Sequence, residues 1–163
     1  MDRLDRMILS VLQEDVTVPV AEIGRRVGLS TTPCWRRIQK MEEEGVIRQR
    51  VAVLNPAKVN AKVTVFVSIT TNQHNEDWLT RFARIISEFP EVVEFHRMSG
   101  NIDYLLKVVV PDIEAYDNFY KKLVGKIDIT DVSSAFAMER IKDTTALPLH
   151  YMELDTGAKS RAS

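Results

Sequence analysis

The spacing of apolar residues over the first 45 positions predicts three short helices. The first is predicted over about residues 2–13, from apolar side chains at helical intervals: Leu4, Ile8, Val11 and Leu12. Asp2 is suited to cap its start, and the helix dipole favours Asp5 in its first turn. A second helix is predicted from about Pro19 to Val27, because proline fits the first turn of a helix.

The third predicted helix follows a short turn that contains a glycine. Gly28 can take the positive φ that ends a helix, Leu29 returns to the core, and Ser30 or Thr31 can cap the next helix. That helix is predicted over about residues 31–44, ended by Gly45, with one buried face: Cys34, Ile38 and Met41. Gly24 favours a close crossing of the two helices. Two short helices joined in this way are typical of a helix-turn-helix.

The charge is distributed unevenly along the 163 residues. The net charge is only -1, but residues 21–40 hold five basic groups and one acid, against 13 basic and 15 acidic groups over residues 51–163. A basic cluster is most often a solvated helix face. In a helix-turn-helix, however, it indicates an anionic partner, and the second helix of that motif enters the major groove of DNA.

If the face at 34, 38 and 41 is buried, the opposite side of the third helix is free to contact double-stranded DNA. Arginine and glutamine can read guanine and adenine, while hydroxyl groups hold phosphates. The predicted DNA-binding residues are Arg25, Ser30, Thr31, Thr32, Trp35, Arg36, Arg37, Gln39 and Lys40, with Arg37 at the margin of the surface. Trp35 either contacts DNA or packs beneath the segment that follows. Cys34 is expected to act as a small buried hydrophobe.

Beyond Gly45 the pattern predicts a connecting strand and then the order strand, helix, strand, strand, helix, strand. The predicted strands span about residues 62–71, 91–99, 103–110 and 130–139, and the helices begin after the caps Asn75 and Asp112. We therefore expect an α+β chain in which a winged-helix-like three-helix domain precedes a ferredoxin-like βαββαβ domain. The expected divisions are residues 1–45, a linker strand over 46–60, a sheet domain over 61–142, and an arm with a mobile tail over 143–163.

Both helices of the ferredoxin-like order must cover the same face of the sheet. The inner side of the second helix is predicted to hold Ile113, Tyr116, Phe119, Tyr120, Leu123 and Ile127. The other face of the sheet would expose apolar side chains: Phe66, Val109, Ala135 and Ala137. A bare apolar sheet face indicates self-association, and a two-fold dimer matches a motif that reads paired half-sites.

The composition excludes several other classes of protein. Hydrophobic residues make up 45% of the chain, but no apolar run is long enough to span a membrane, and charges at residues 2–5 argue against a signal peptide. A cytoplasmic location is therefore expected. One cysteine allows neither an intramolecular disulfide nor a thiolate cluster. We find no phosphate-binding loop, metal-ligand spacing or nucleophile–base pattern, and expect no catalytic residue, metal or cofactor.

Several motifs together resemble the Lrp/AsnC family of feast/famine regulators. They are Leu-Asp-Arg-Met-Ile-Leu at 4–9, Val-Gly-Leu-Ser-Thr-Thr-Pro-Cys-Trp-Arg-Arg at 27–37, Met-Glu-Glu-Glu-Gly-Val-Ile at 41–47, Leu-Asn-Pro at 54–56 and Ser-Gly-Asn-Ile-Asp-Tyr-Leu-Leu at 99–106. The resemblance covers nearly the whole chain, although Pro19 and Thr17 depart from the common pattern. It implies a transcriptional regulator whose sheet domain binds an amino-acid effector between subunits, and dimers that assemble into octamers.

The resemblance places the effector at the turn after residue 98, with help from the last strand. The predicted effector residues are Met98, Ser99, Gly100, Asn101, Ile102, Asp103, Tyr104, Ser133, Ser134 and Phe136. We expect the backbone of 99–102 to receive the carboxylate and Asp103 to receive the ammonium, unless Asp103 only stabilises the turn. The segments 133–142 and 144–148 resemble a branch associated with cysteine response, so the effector is predicted to be cysteine or another small or apolar amino acid.

Two alternatives come from other classes of protein. Siroheme decarboxylases resemble the same two-domain architecture, but an enzyme of that kind has no need for the basic groups at 36, 37 and 40. An architectural DNA-compacting protein without an effector is the other alternative. The predicted effector turn at 100–104 argues against it.

Overall fold

The computed structural model describes residues 1–73 and 75–155. The described chain divides into two compact units, one built from residues 1–52 together with residues 142–155, and one from Val53–Ile141. We call them the helical unit and the sheet unit. The part of the predicted mobile tail beyond residue 155 lies outside the described residues.

The helical unit contains α1 (Arg3–Glu14), α2 (Val20–Val27) and α3 (Thr31–Glu43). At the start of α1 the Asp2 carboxylate accepts hydrogen bonds from the backbone N–H groups of Leu4 and Asp5, and the Asp5 carboxylate accepts one from the N–H of Asp2. This reciprocal capping satisfies N–H groups that a helix start leaves unpaired. It confirms the predicted role of Asp2.

The connection between α2 and α3 depends on two glycines, Gly24 within α2 and Gly28 in the turn. Gly28 has a φ of 76°, as predicted, and the N–H of Leu29 donates to the carbonyl of Gly24 at 2.8 Å. A Cβ added at Gly24 would lie 2.7 Å from the carbonyl oxygen of Leu29, so only glycine fits without a shift.

Two predicted helix starts differ in detail from the structure. Pro19 lies at the N-cap of α2 and not within its first turn. Ser30 lies at the N-cap of α3, where its carbonyl accepts from the N–H of Cys34, but its side chain makes no capping hydrogen bond. Ser30 is therefore the N-cap residue, as predicted, but it contributes no side-chain hydrogen bond there.

The predicted buried face of α3 forms the centre of the helical unit. Cys34, Ile38 and Met41 are each no more than 1% exposed. They pack with buried residues of the other two helices: Ile8, Ile23 and Val27. Burial of such side chains is the main stabilising contribution to a unit of this size.

The predicted linker strand is not formed in the described chain. Residues 48–55 have no regular secondary structure and residues 56–60 form a turn. The side chains of Val53 and Leu54, whose apolar character predicted the strand, are 73% and 64% exposed. A strand needs a hydrogen-bonded neighbour, and the four strands of the sheet pair only with one another.

The sheet unit follows the predicted order of elements. These are β1 (Val63–Thr70), α4 (Glu76–Ser87), β2 (Val92–Arg97), β3 (Tyr104–Val110), α5 (Ile113–Lys126) and β4 (Asp131–Phe136). The strands form one antiparallel sheet in the order β2-β3-β1-β4, which confirms the ferredoxin-like prediction. The carboxylate of Asp112 and the side-chain oxygen of Asn75 cap the two helices, also as predicted.

Both helices cover one face of the sheet. The alternate residues of β1 at 65, 67 and 69 are fully buried on that face, together with Phe82 of α4 and Phe119 of α5. Ile113 is an exception, since it was predicted to face inwards but is 70% exposed. It is the first residue of α5, and helical side chains lean towards the N-terminus, so its side chain projects beyond the end of the helix.

The segment after Lys142 belongs to the helical unit. The side-chain amide of Gln13 donates to the carbonyl of Leu147 at 3.1 Å and accepts from its N–H at 3.0 Å. A single 3-10 turn follows over Leu149–Tyr151, and the N–H of Asp155 donates to the carbonyl of Met1 at 2.8 Å. We call residues 142–155 the arm. No helix among the described residues has the length and apolar character that crossing a bilayer requires.

Candidate DNA interface and effector-binding turn

The surface of α3 opposite its buried face is open to solvent in the helical unit. Ser30, Thr31, Thr32, Arg36 and Lys40 are exposed, Gln39 is half-buried, and Trp35 is 50% exposed. We call these seven residues the α3 surface. The alternative in which Trp35 packs beneath a linker strand is not observed, since no such strand is formed.

The basic side chains of this region differ in whether they form ion pairs with acidic side chains of the same chain. Arg36 has no hydrogen bond or ion pair with any described residue, whereas the Lys40 ammonium lies 3.7 Å from the Glu44 carboxylate. Arg25 on α2 donates twice to Glu22. Together with Arg26 it lowers the pKa of Glu22 to about 2. Arg36 is therefore the cation most available to an external anion.

Arg37 is engaged inside the helical unit. Its guanidinium donates to the carboxylates of Asp2 and Asp5, each at 2.7 Å. These contacts raise the pKa of Arg37, while the N–H of Asp5 and then the guanidinium lower the pKa of Asp2. Arg37 thus connects α3 to the start of α1, and the expectation that it is free for DNA is not met. The two acids were predicted as helix-start residues, but their partner was missed.

Cys34 has the environment of a packed residue. Its side chain is fully buried, and burial raises the pKa of the thiol. A raised pKa leaves little of the reactive thiolate, so the thiol acts as a small hydrophobe.

In the sheet unit, the turn between β2 and β3 is exposed at its tip. Ser99, Gly100 and Asn101 are open to solvent, and Gly100 has a φ of 116°, a conformation that favours glycine. The N–H of Met98 donates to the carbonyl of Asp103 at 2.8 Å and closes the turn. Met98 is 38% exposed, so the tip has an apolar neighbour.

Asp103 fixes this turn to the end of β1. One carboxylate oxygen accepts from the N–H of Thr71 at 2.8 Å, and the N–H of Asp103 donates to the carbonyl of Ile69 at 3.0 Å. The second carboxylate oxygen has no hydrogen-bond partner among the described residues. Asp103 therefore stabilises the turn and still offers one oxygen.

The predicted effector residues of β4 do not share one face of the sheet. Ser133 lies opposite Ser68 on the open face, whereas Ser134 lies opposite the buried Val67. The hydroxyl of Ser134 hydrogen-bonds the hydroxyl of Tyr116 of α5, and the ring of Phe136 lies 5.1 Å from the ring of Tyr116. Because successive strand residues point to opposite faces, Ser133 lies on one face of the sheet and Ser134 and Phe136 on the other, and their role in one effector site stays a prediction.

Tyr104 is also occupied by packing. It is 5% exposed and lies in an aromatic cluster with Trp78, Phe82 and Phe95, at ring distances of 5.0 to 5.8 Å. Ile102 beside it is half-buried. Tyr104 therefore packs in the core beside the turn, and its predicted contact with an effector stays a prediction.

The open face of the sheet carries the apolar side chains that were predicted for it. Phe66 is 38% exposed and lies between Lys107 and Ala135 in neighbouring strands, and Val109 lies on the same face. Ala137 is exposed just beyond β4, where its N–H donates to the carbonyl of Thr64.

A helix-turn-helix with an exposed second helix, joined to a ferredoxin-like unit with an exposed glycine turn, defines a class of DNA-binding regulators with a ligand-binding domain. Residues 1–42 match the AsnC-type helix-turn-helix domain, and residues 64–147 match the Lrp/AsnC ligand binding domain. The chain belongs to the Lrp/AsnC family, as its motifs predicted, and is a DNA-binding transcriptional regulator of that type.

Known proteins resemble the chain over most of its length. A glutamate uptake regulatory protein of Zymomonas mobilis subsp. mobilis is 49% identical over 149 residues, 91% of each chain. The crystal structure of an AsnC family transcriptional regulator from Agrobacterium tumefaciens has a TM-score of 0.91 and 70% identity, over 94% of this chain and all of that one. A transcriptional regulator from Neisseria meningitidis, solved as a complex with L-Met, has a TM-score of 0.88 and 34% identity, over 94% of this chain and 99% of that one.

Proposed function

We propose that the α3 surface reads the bases of duplex DNA and that Arg36 makes its main base contact. The observation that supports this is the guanidinium of Arg36, which pairs with no described residue and lies on the exposed side of a helix whose other side is fully buried. Arginine donates two hydrogen bonds to the major-groove edge of guanine. Thr31, Thr32 and Arg25 are proposed to contact phosphates, because hydroxyls and cations near the start of such a helix lie close to the backbone. Arg37 is left out of this set.

The experiment begins with selection of preferred duplexes from a random pool by the wild-type protein. Fluorescence anisotropy then measures binding of the best duplex by wild type, Arg36→Ala and a control, Arg84→Ala on the exposed side of α4. Arg36→Ala should weaken binding by about 1–3 kcal/mol and relax the preference at one base pair. Equal affinity of wild type and Arg36→Ala for the selected duplex would contradict the proposal.

A small amino acid is proposed as the effector, bound at the turn around 99–103 where two subunits meet. The exposed backbone N–H groups of the turn are suited to the carboxylate, and the second oxygen of Asp103 to the ammonium. Ser133 on the open face is proposed to assist. The complex of the Neisseria meningitidis relative with L-Met supports an amino acid as the class of ligand.

The identity of the effector can be found with a thermal-shift panel of the twenty amino acids, in which cysteine and the other small or apolar ones are the candidates. A ligand that binds only the folded state raises the melting temperature. Asp103→Asn should lower the affinity for the effector. The effector must also change DNA affinity by the factor by which DNA changes effector affinity. No shift with any amino acid would favour the architectural alternative.

Dimers are proposed to form through the open face of the sheet, with octamers built from them. Phe66, Val109 and Ala135 present apolar surface that a monomer rarely leaves to solvent. Phe66→Glu should shift the protein to a smaller species in analytical ultracentrifugation. The matched control is Ile113→Glu, an exposed apolar residue on α5 that lies outside the sheet face.

The remaining part of the proposal is that the protein works in the cytoplasm as a regulator and has no catalytic activity. The relatives that the chain matches are named as transcriptional regulators, which supports it. The decarboxylase alternative predicts carbon dioxide release from siroheme, and its detection would overturn this part.

A further inference from the structure

The sheet unit contains a cleft that the proposed function does not use. It lies between α4 and the segment joining α5 to β4, has a volume of 240 Å³, and is lined by Gln73, Trp78, Arg81, Phe82, Ile85, Ile127 and Asp128. None of these residues belongs to the turn around 99–103 or to the α3 surface. The described residues that form it come from one protomer, so the cleft needs no second subunit to exist.

Two opposite charges line the cleft without neutralising each other. Arg81 and Asp128 are both exposed, and neither forms a hydrogen bond or ion pair with any described residue. Elsewhere on the same unit an exposed pair closes readily, as Lys126 and Glu88 do at 2.7 Å. A guanidinium can bind a carboxylate through two parallel hydrogen bonds, and a carboxylate can accept from an ammonium. The pair is therefore complementary to a zwitterion.

Apart from Gln73, the rest of the lining is apolar, and two of its side chains belong to the buried core. Phe82 is 1% exposed, Ile85 is 8% exposed, and the ring of Trp78 lies 4.8 Å from that of Phe82. Burial of a ligand's apolar side chain against them would remove apolar surface from water. The cleft is smaller than the roughly 300–1,000 Å³ of most small-molecule pockets, which favours a ligand of the size of one amino acid.

We propose that this cleft is a second amino-acid site, which binds a free α-amino acid with an apolar side chain. Arg81 receives the carboxylate, Asp128 receives the ammonium, and the side chain lies against Trp78 and Ile127. The site is distinct from the turn proposed for the effector. The two are nevertheless in physical contact, because the ring of Trp78 lies 5.8 Å from that of Tyr104, the neighbour of Asp103.

The experiment uses Trp78 as a probe inside the cleft. The chain has two tryptophans, so the full-length Trp35→Phe variant reports on Trp78 alone. L-phenylalanine, L-leucine and L-methionine are titrated separately while tryptophan fluorescence is recorded. At least one of them should give a saturable change. Arg81→Gln and Asp128→Asn should each weaken that binding by tenfold or more, whereas Arg84→Gln, one turn further along α4, should leave it unchanged.

The assignment of each charge is tested with two analogues of the amino acid that binds. The amide lacks the carboxylate, and the deaminated acid lacks the ammonium. The preference for the amino acid over its amide should disappear in Arg81→Gln, and the preference over the deaminated acid should disappear in Asp128→Asn. A variant that merely disturbed the fold would weaken all three ligands alike and would leave both preferences in place.

The Asp103→Asn variant distinguishes binding at the cleft from binding at the effector turn. Binding at the cleft should persist in that variant. The proposal is overturned if none of the three amino acids gives a saturable change, or if Arg81→Gln and Asp128→Asn both bind as the Trp35→Phe parent does. A signal that only Asp103→Asn abolishes belongs to the turn and supports the proposed effector site instead.

Discussion

In the helical unit, the side chains proposed to contact DNA lie outside the core, whereas in the sheet unit the side chains expected to contact the effector are divided between the core and the surface. Trp35 and Arg36 are exposed on α3, but Tyr104 and Ser134 are held by packing and by a hydroxyl pair. The difference follows from geometry. A helix gathers its buried residues on one side and leaves a continuous surface on the other, whereas a strand sends neighbouring residues to opposite faces.

The largest test of this comparison exchanges one aromatic residue in each unit for alanine. Tyr104→Ala should lower the free energy of unfolding by about 3–5 kcal/mol, because it leaves a cavity in the aromatic cluster. Trp35→Ala should change it by less than about 0.5 kcal/mol, because half of its side chain is already in water. Urea denaturation measures both, and similar losses in the two variants would contradict the contrast.

A second test concerns the turn that positions α3. Gly24→Ala should destabilise the protein by about 1–3 kcal/mol, since its Cβ would press on the carbonyl of Leu29. Gly125→Ala in α5 is the matched control, because a Cβ there meets no atom within 4 Å. That change should be neutral or stabilise the chain by up to about 1 kcal/mol. Thermal unfolding distinguishes the two, and equal effects would show that the turn is less crowded than described.

Neighbouring arginines of α3 provide a third test. Arg37→Ala should cost about 1 kcal/mol of stability, because Asp2 and Asp5 lose a charged hydrogen-bond donor. Arg36→Ala should leave stability unchanged while it weakens DNA binding. Chemical denaturation beside the anisotropy measurement gives both quantities. If the Arg37→Ala variant keeps its stability but loses DNA affinity, Arg37 contacts DNA and the contrast between the two arginines is wrong.

The smallest effect is a dependence on pH at the start of α1. The pKa of Asp2 is lowered from its ordinary value of 3.8, so the ionised form contributes stability above that pH and loses it as the pH falls through the lowered pKa. Asp2→Asn keeps a capping oxygen but not the charge. It should be less stable than wild type by a few tenths of a kcal/mol at pH 7, because the pair is partly exposed. In denaturation curves recorded from pH 7 to pH 2, the difference between the two proteins should hold above pH 3.8 and shrink below it, and a constant difference would assign the effect to capping.

Periodicity was sufficient to predict the elements and their faces. The spacing of Cys34, Ile38 and Met41 predicted the buried side of α3, and the order of strands and helices predicted that both helices cover one face of the sheet. The predicted linker strand is not formed, because apolar residues along the chain do not supply a hydrogen-bonded neighbour. A pattern along the chain describes which side of an element is apolar, but not what lies beside it.

The candidate sites were predicted less completely, for the same reason. The partners of Arg37, Asp2 and Asp5, lie 35 and 32 residues away in the sequence, although the position of Arg37 three residues from the buried Cys34 indicated a residue close to the packed side. Asp103 could be placed in a turn, but its bond to Thr71 depends on the pairing of strands. Arg81 and Asp128 are far apart in sequence, and no local motif connects them. Residues that are distant in sequence come together in this way only once each unit has folded.

The hydrogen bonds between Gln13 and Leu147 have a practical consequence for dissecting this regulator. They assign the arm to the helical unit, which is therefore assembled from both ends of the polypeptide, while the sheet unit is one uninterrupted stretch. A single continuous fragment can carry the whole sheet unit. A fragment that stops near residue 52 lacks part of the helical unit, so isolating the DNA-binding half calls for an engineered loop that joins residues 52 and 142.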